Sequence, residues 1–396
     1  MVKIGDDDFH EIEEDMEQAK DCAQMQEAVN GRTNPSYHNY GIDLLRECSM
    51  LMICIVHILQ QGGILAASPR MGAHYIIARF LEALVICGVN CFALISGYIK
   101  STSTIRFKSL FTLWCEVVFY SFFIGLLFWL ISPKEVPARD VIENLFPVSM
   151  LRYWYFSAYV FLFLMMPILN VVICKMPMKD LRNALFSIFI IVCLFRCLPM
   201  LNKIGREFKE GFSSIWLMYL YLVGGYIRKY GLRQLLDFGP FTSAIEHFLQ
   251  GRVRRDWLPL IAFFFCAALS WGISLVAEFI NMRYLHRDFH FSFLTLYISP
   301  TIFMASIMLL HYFTHLELNR FKGMASSLAP MAFSVYLIQT QHEIWKFWFK
   351  GGFTWMIRFP AWSMPILTVV SAISMFLICS MVDYVRIRLF KILRIR

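Results

Sequence analysis

Arg46 and His57 lie inside the first apolar segment of the chain, GIDLLRECSMLMICIVHILQQGG. Ionisable side chains are rare in such a segment, because an arginine at the centre of a spanning helix costs about 2.5–3.5 kcal/mol on insertion scales. Eleven residues separate the two. At about 100° per residue they fall within roughly 20° of one helical face. Asp43 precedes Arg46 by three and Gln60 follows His57 by three, so a single polar stripe runs down a greasy helix. Arginine presents a planar, permanently charged fork suited to phosphate. Histidine changes charge near working pH and serves as base or nucleophile. About 16 Å of helical rise lies between them, so they cannot bond to each other and must meet different parts of one extended ligand or act at different steps. Two plainer readings compete: an arginine near the segment's start that snorkels to the headgroups, and a packed, hydrogen-bonded histidine.

Other polar residues group around this pair. Arg79 and Glu82 are spaced i, i+3, which fits an internal ion pair as well as a substrate contact. Trp154 and Tyr155 suit stacking on a sugar ring or a place in an interfacial aromatic belt. His311 and His315, at i, i+4, offer two imidazoles with no third ligand at a matching spacing, so no metal site is expected. HNYGID at 38–43 has the HxxxxD spacing of soluble glycerolipid acyltransferases but lacks their glycine-rich phosphate block, and two fixed positions match by chance.

Of 396 residues, 58% are hydrophobic and only 16% charged, well below the roughly 25% charged of soluble domains. The chain therefore reads as an all-α, polytopic membrane bundle. Ten apolar stretches of spanning length run at about 42–61, 76–98, 110–132, 154–175, 184–200, 214–230, 257–280, 293–313, 329–349 and 361–383. Residues 1–40 form a separate tail with ten acids against three Lys/Arg, without an apolar core of its own, and weak order is expected there. An even span count with a basic C-terminal tail puts both termini in the cytoplasm of a multi-pass cell-membrane protein. The 231–256 loop, with Phe241, Ile245, Phe248 and Leu249 followed by Arg252, Arg254 and Arg255, reads as an interfacial helix on anionic lipid. The net charge of +9 is distributed over loops and tail, and no nucleic-acid surface follows from it. Eleven cysteines without a CxxC pair read as small apolar residues rather than a disulfide framework. Arg196 lies within a span, and His286, Asp288 and His290 read as solvated in an outer loop.

Five stretches together resemble the integral-membrane acyltransferase 3 family, in particular its surface polysaccharide O-acyltransferase branch: NYGIDLLRECSMLMICIVHILQQGGIL (39–65), GVNCFALISGYI (88–99), YWYFSAYVFLFLMMPILN (153–170), SIWLMYLYLVGGYIRKYG (214–231) and SVYLIQTQHEIW (334–345). They occur in the family's order and cover residues 39–396, with the transmembrane domain taken as 41–396 after the tail. The Arg-x10-His pair and the SGY ending the second span are the most specific marks. The resemblance implies a ten-helix domain moving an acyl group, usually acetyl, from cytoplasmic acyl-CoA to a hydroxyl of an extracytoplasmic or lipid-linked glycan, with no resident cofactor. It implies His57 as the catalytic histidine and Arg46 as its essential basic partner. Arg106 and Lys108, after SGY, sit where relatives keep basic residues near the CoA. Gln339 and Gln341 stand where many relatives have histidine in a YLIH block, with His342 displaced. Two other classes stay in view, a transporter or flippase with a polar path and a relative that kept the fold without the activity. No inverted repeat or paired broken spans favour the first.

Overall fold

The computed structural model describes residues 38–103, 105–195, 209–237, 257–285, 294–318 and 320–393. Most of the acidic tail, Arg196, the 241–255 stretch and His286, Asp288 and His290 lie outside the described residues. Among those described, every regular element is helical. The principal helices are α1 (Tyr40–Gln60), α2 (Ala73–Val85), α3 (Gly88–Lys100), α4 (Phe107–Ile131), α5 (Trp154–Lys175), α6 (Met178–Phe189), α7 (Ser214–Tyr230), α8 (Leu258–Ile280), α9 (Pro300–Thr314), α10 (Lys322–Leu328), α11 (Ala332–Gln339) and α12 (Met364–Ile392).

Among the described residues six helical stretches are long and apolar enough to cross a membrane, with α9 a shorter apolar helix. The chain is thus an all-α polytopic bundle. The ten expected spans do not each emerge as a long continuous helix. The 76–98 span is broken at Ile86–Cys87 between α2 and α3, two halves of one crossing, Ala73–Lys100. The 329–349 span is interrupted after α11. Gln341 there is extended (φ −59°, ψ 135°), and its side-chain oxygen accepts from the amides of Glu343 (2.9 Å) and Ile344 (3.2 Å), starting a new short helix. A polar Thr340-Gln341 pair supplies the bonds that let the backbone break inside the bundle.

The bundle is graded from inside to outside. Helices α4, α5, α8 and α12 expose large apolar side chains such as Phe123, Phe161, Phe265 and Ile378, as lipid-facing helices do. Helix α1 is central and packs against α2, α3, α9, α10, α11 and α12. It starts on Asn39, whose side chain accepts from the Ile42 amide and donates to the Thr314 carbonyl of α9 (3.0 Å).

The closest helix pair is α3 with α7. A Cβ on Gly97 would sit 2.0 Å from the Tyr221 carbonyl oxygen, and one on Gly224 would sit 2.2 Å from that of Leu94. The glycines of SGY and VGGY are therefore the contact surface between two backbones, the small-residue packing that joins helices in lipid. Asn90 adds a buried polar tie: it accepts from the Trp216 indole of α7 (3.0 Å) and donates to the Tyr297 carbonyl (2.8 Å).

Helix α12 is tied to α4 through charge. Arg386 donates to Asp383 (2.7 Å) and stands 3.5 Å from Glu116, while the Tyr120 hydroxyl donates to Asp383 (2.6 Å) and Ser334 to Glu116. All are buried, and partnering is the condition for keeping charge there. Among the described residues eight cysteines are free, and Cys174 is disulfide-bonded, an exception to the reading of the cysteines as apolar filler.

Candidate functional site

The site is built on α1, whose unbroken helical run keeps Arg46 and His57 on one face. At its N-terminal end Arg46 Nη1 donates to Asp43 (3.1 Å), and Asp43 is also hydrogen-bonded to His38. One carboxylate therefore orients the guanidinium while a third of the arginine side chain stays accessible. Lys100, the last residue of α3, and Tyr159 of α5 lie close enough to interact with it electrostatically. Asn170 holds this corner by donating to the Lys100 carbonyl (3.1 Å) while accepting from Tyr221 of α7 (2.7 Å). Two cations lie close together here, with Asp43 as the acid that orients Arg46.

At the other end the imidazole of His57 lies edge-to-face with Trp345, ring centres 5.0 Å apart at 83°, and with Phe349 at 6.3 Å. The Gln339 amide lies against the same ring. The break after α11 brings this about, because it turns Trp345 and Phe349 toward α1 beside the end of α11. His57 Nδ1 is buried without a hydrogen-bond partner, and so is Gln339 Oε1. His342 is exposed and Glu343 is buried, so the residue displaced from the YLIH register points away from His57's surroundings.

A wall of tyrosines connects the two ends. Tyr159, beside Arg46, stacks with Tyr155 (6.4 Å), and Tyr155 meets Tyr336 of α11 edge-on (6.1 Å). Gln339 follows Tyr336 by less than one turn. Arg46, His57, Tyr155 and Tyr159 are each half-buried.

Beyond His57, Gln60 donates to Glu82 (2.7 Å), and Arg79 Nη1 donates to the other oxygen of that carboxylate (2.5 Å). Arg79 and Glu82 are thus an ion pair, as their spacing allows, and both are buried. Glu278 lies nearby, accepting from Tyr75 at 2.7 and 3.0 Å with Arg70 at 4.0 Å. Trp154 stacks on Tyr297 (6.2 Å, 20°) and contacts Phe212 (4.8 Å), so its ring packs against aromatic neighbours within the protein. Tyr155 faces Tyr159 and Tyr336 instead.

The structure thus keeps Arg46 and His57 on one face of α1, places Tyr159 and Tyr155 on the Arg46 side, and ties Arg79 and Glu82 to Gln60, one turn past His57. It does not gather Arg106 and Lys108, which are exposed at the start of α4. Sequence reasoning missed Lys100, Tyr159 and Tyr336. Lys100 follows SGYI directly and Tyr159 lies one turn beyond Tyr155, so both carried a signal. Among the described residues no group of three His, Cys, Asp or Glu side chains could hold a metal ion. His315 Nδ1 sits 2.9 Å from the His311 carbonyl, a local backbone contact.

Residues 39–384 match the family model described as an acyltransferase domain, Acyl_transf_3. No curated protein matches the chain, and no solved structure does.

Proposed function

The chain belongs to the acyltransferase 3 family of membrane acyltransferases, and from that premise we propose that it is an O-acyltransferase of the cell membrane. It carries an acyl group, acetyl in the first instance, from acyl-CoA to a hydroxyl of an extracytoplasmic or lipid-linked glycan. Acyl-CoA enters at the Arg46 end, which faces the cytoplasm together with both termini, and the acceptor approaches from the His57 end. The observation that supports this reading is the placement of Arg46 and His57 on one face of the unbroken helix α1, with Tyr159 beside Arg46 and in ring contact with Tyr155, which in turn meets Tyr336 of α11.

In this reading the CoA phosphates meet Arg46, with Lys100 adding a second cation. Asp43 fixes the arginine fork and leaves its outer edge for the phosphates. The pantetheine arm runs along the tyrosine wall and brings the thioester to His57. The acceptor hydroxyl gives its proton to the imidazole as its oxygen attacks the thioester carbonyl. The carbon–sulfur bond breaks, and the proton passes from His57 to the departing CoA thiolate, leaving an ester, free CoA and neutral histidine. The apolar edges of Trp345 and Phe349 keep bulk water from the ring and suppress thioester hydrolysis.

The test is acetyl transfer from labelled acetyl-CoA by the purified, membrane-reconstituted protein. His57→Gln and His57→Ala are expected to abolish product while keeping acetyl-CoA binding and a normal melting profile. A substantial yield from His57→Gln, whose amide cannot accept the proton, would overturn the catalytic assignment.

A further inference from the structure

The two ring nitrogens of His57 stand in different surroundings. Nδ1 is buried without a hydrogen-bond partner, while Nε2 is not enclosed in that way and no hydrogen bond engages it among the described residues. The ring plane is already set, edge-to-face against Trp345 (5.0 Å, 83°) and Phe349 (6.3 Å, 90°). Those ring contacts orient the imidazole and supply no bond to Nδ1. A buried polar atom left unbonded costs on the order of 1–3 kcal/mol, so native structures rarely keep one without a reason.

One side chain beside the ring has the matching deficit. Gln339, the last residue of α11, is 1% exposed and its amide lies against the imidazole. Its nitrogen donates to the sulfur of Met50 (3.7 Å), two turns before His57 on α1, and its oxygen Oε1 is buried without a partner. An amide oxygen only accepts, so it can satisfy Nδ1 only when that nitrogen carries the proton. One bond from Nδ1–H to Oε1 removes both deficits and brings no charge into the bundle. Cys54, one turn before His57, also lies beside the Gln339 amide. A thiol is a weak donor, however, and pairing it with Oε1 would leave Nδ1 unbonded. Which nitrogen of a neutral histidine carries the proton is set by the bond that the other one makes. An imidazole without such a partner prefers to carry it on Nε2, where it blocks that nitrogen as a base.

We infer that Gln339 is the positioning residue of His57: its side-chain oxygen accepts from Nδ1–H and so keeps Nε2 unprotonated as the base. The inference rests on the proposed O-acyltransferase reading for its purpose, whereas the tautomer itself is measured without turnover. In the transfer step the proton of the acceptor hydroxyl arrives on Nε2 as the new carbon–oxygen bond forms. It leaves from the same nitrogen to the CoA thiolate once the carbon–sulfur bond has broken, and the Nδ1 proton stays in place throughout. While the ring is cationic, its bond to Gln339 is charge-assisted and strengthens. Gln339 acts through the ring, by holding its tautomer.

The experiment uses the full chain in lipid nanodiscs, with 15N-labelled histidine and glutamine labelled with 13C at the side-chain carbonyl. Solid-state NMR at a pH where the ring is neutral reads which nitrogen of His57 bears hydrogen, with its signals identified by their loss in His57→Gln. The wild-type protein is expected to carry the proton on Nδ1, with a dipolar contact from Nδ1 to the Gln339 carbonyl carbon. Gln339→Met keeps the length of the side chain and removes the oxygen. There the proton should move to Nε2, and kcat for acetyl transfer should fall by roughly tenfold or more with acetyl-CoA affinity retained. Gln339→Glu restores an acceptor, and should return the proton to Nδ1 and recover part of kcat. A proton on Nε2 in the wild-type protein, or no contact between Nδ1 and Gln339, would overturn the inference. So would the Nδ1–H form persisting in Gln339→Met, or a kcat that ignores the tautomer across the series. If the wild-type tautomer and contact are as expected but no acetyl transfer occurs in any condition, the acyltransferase reading fails and the Gln339 bond stands. The wild-type spectrum decides the matter even if neither variant folds.

Discussion

Gly224→Ala adds one methyl group and is expected to damage the molecule through a backbone contact. The new Cβ would lie 2.2 Å from the Leu94 carbonyl oxygen and 3.0 Å from the Tyr98 amide, where 3.4 Å marks the start of ordinary contact. Neither neighbour is a flexible side chain, so α3 and α7 must separate by about 1 Å to restore contact distance. A gap of about 0.5–1 Å forfeits a quarter to a half of each dispersion contact it opens. This interface includes Leu94, Ile95, Leu220 and Tyr221, all essentially inaccessible. Strain of this kind costs about 1–3 kcal/mol. Gly272 supplies the control: it lies in α8, and a Cβ there meets nothing within 4 Å. Gly272→Ala should be neutral or stabilising by about 0.4–1 kcal/mol, because alanine restricts the unfolded chain. Thermal melting of both variants in the same detergent, followed by size-exclusion profile, separates them. Helix α3 also carries Lys100 and Ser96, so acetyl-CoA affinity should fall in Gly224→Ala and hold in Gly272→Ala. Equal melting of the two variants would refute the argument that these glycines exist for backbone contact.

Arg46→Ala should weaken acetyl-CoA binding by roughly tenfold to a hundredfold, the worth of one or two charge-assisted hydrogen bonds. Arg46→Lys should recover little of it, because an ammonium lacks the fork. Calorimetry reads both, and wild-type affinity in Arg46→Ala would leave headgroup snorkelling as the better account. Arg386→Met removes the cation between Asp383 and Glu116 and should destabilise by about 3–5 kcal/mol. Arg386→Met with Asp383→Asn and Glu116→Gln should recover part of that loss in the same melting assay. Deleting residues 1–37 while keeping the Asn39 cap should preserve expression and monodispersity, because that segment is rich in acids and poor in apolar residues to bury; aggregation of the truncated chain would show that it packs on the domain. A cysteine placed after Arg396 should resist impermeant labelling of intact cells, and labelling there would reverse the assigned topology.

Composition alone made the all-α membrane bundle legible, and the spacing of Arg46 and His57 survived because a regular helix has only one geometry. Continuity of the helices was not legible in the same way. The stretch 329–349 is apolar enough for one crossing, but the Gln341 side chain replaces backbone bonds with its own, and a hydropathy pattern averages over such a residue. Partners in three dimensions were the other loss. The i, i+3 spacing of Arg79 and Glu82 allowed their pairing, yet only the fold shows that Gln60 takes the second carboxylate oxygen. Lys100 was passed over as a residue at the end of an apolar span. Its relevance comes from the direction in which α3 leaves the bundle.

Arg46 and His57 share one uninterrupted helix, and this makes α1 a ruler. The interval between them is about 16 Å of helical rise, and no hinge or loop lies between the two marks to change it. In the function proposed above, a donor anchored at one mark would present whatever group lies one fixed length away to the other. On that reading the choice of donor would be a choice of length, imposed before any pocket reads the acyl group. Inserting a single residue between the marks would shift the interval by only about 1.5 Å but swing His57 by about 100° off the face it shares with Arg46. The scale can therefore be recalibrated only by whole turns, about 5.4 Å at a time.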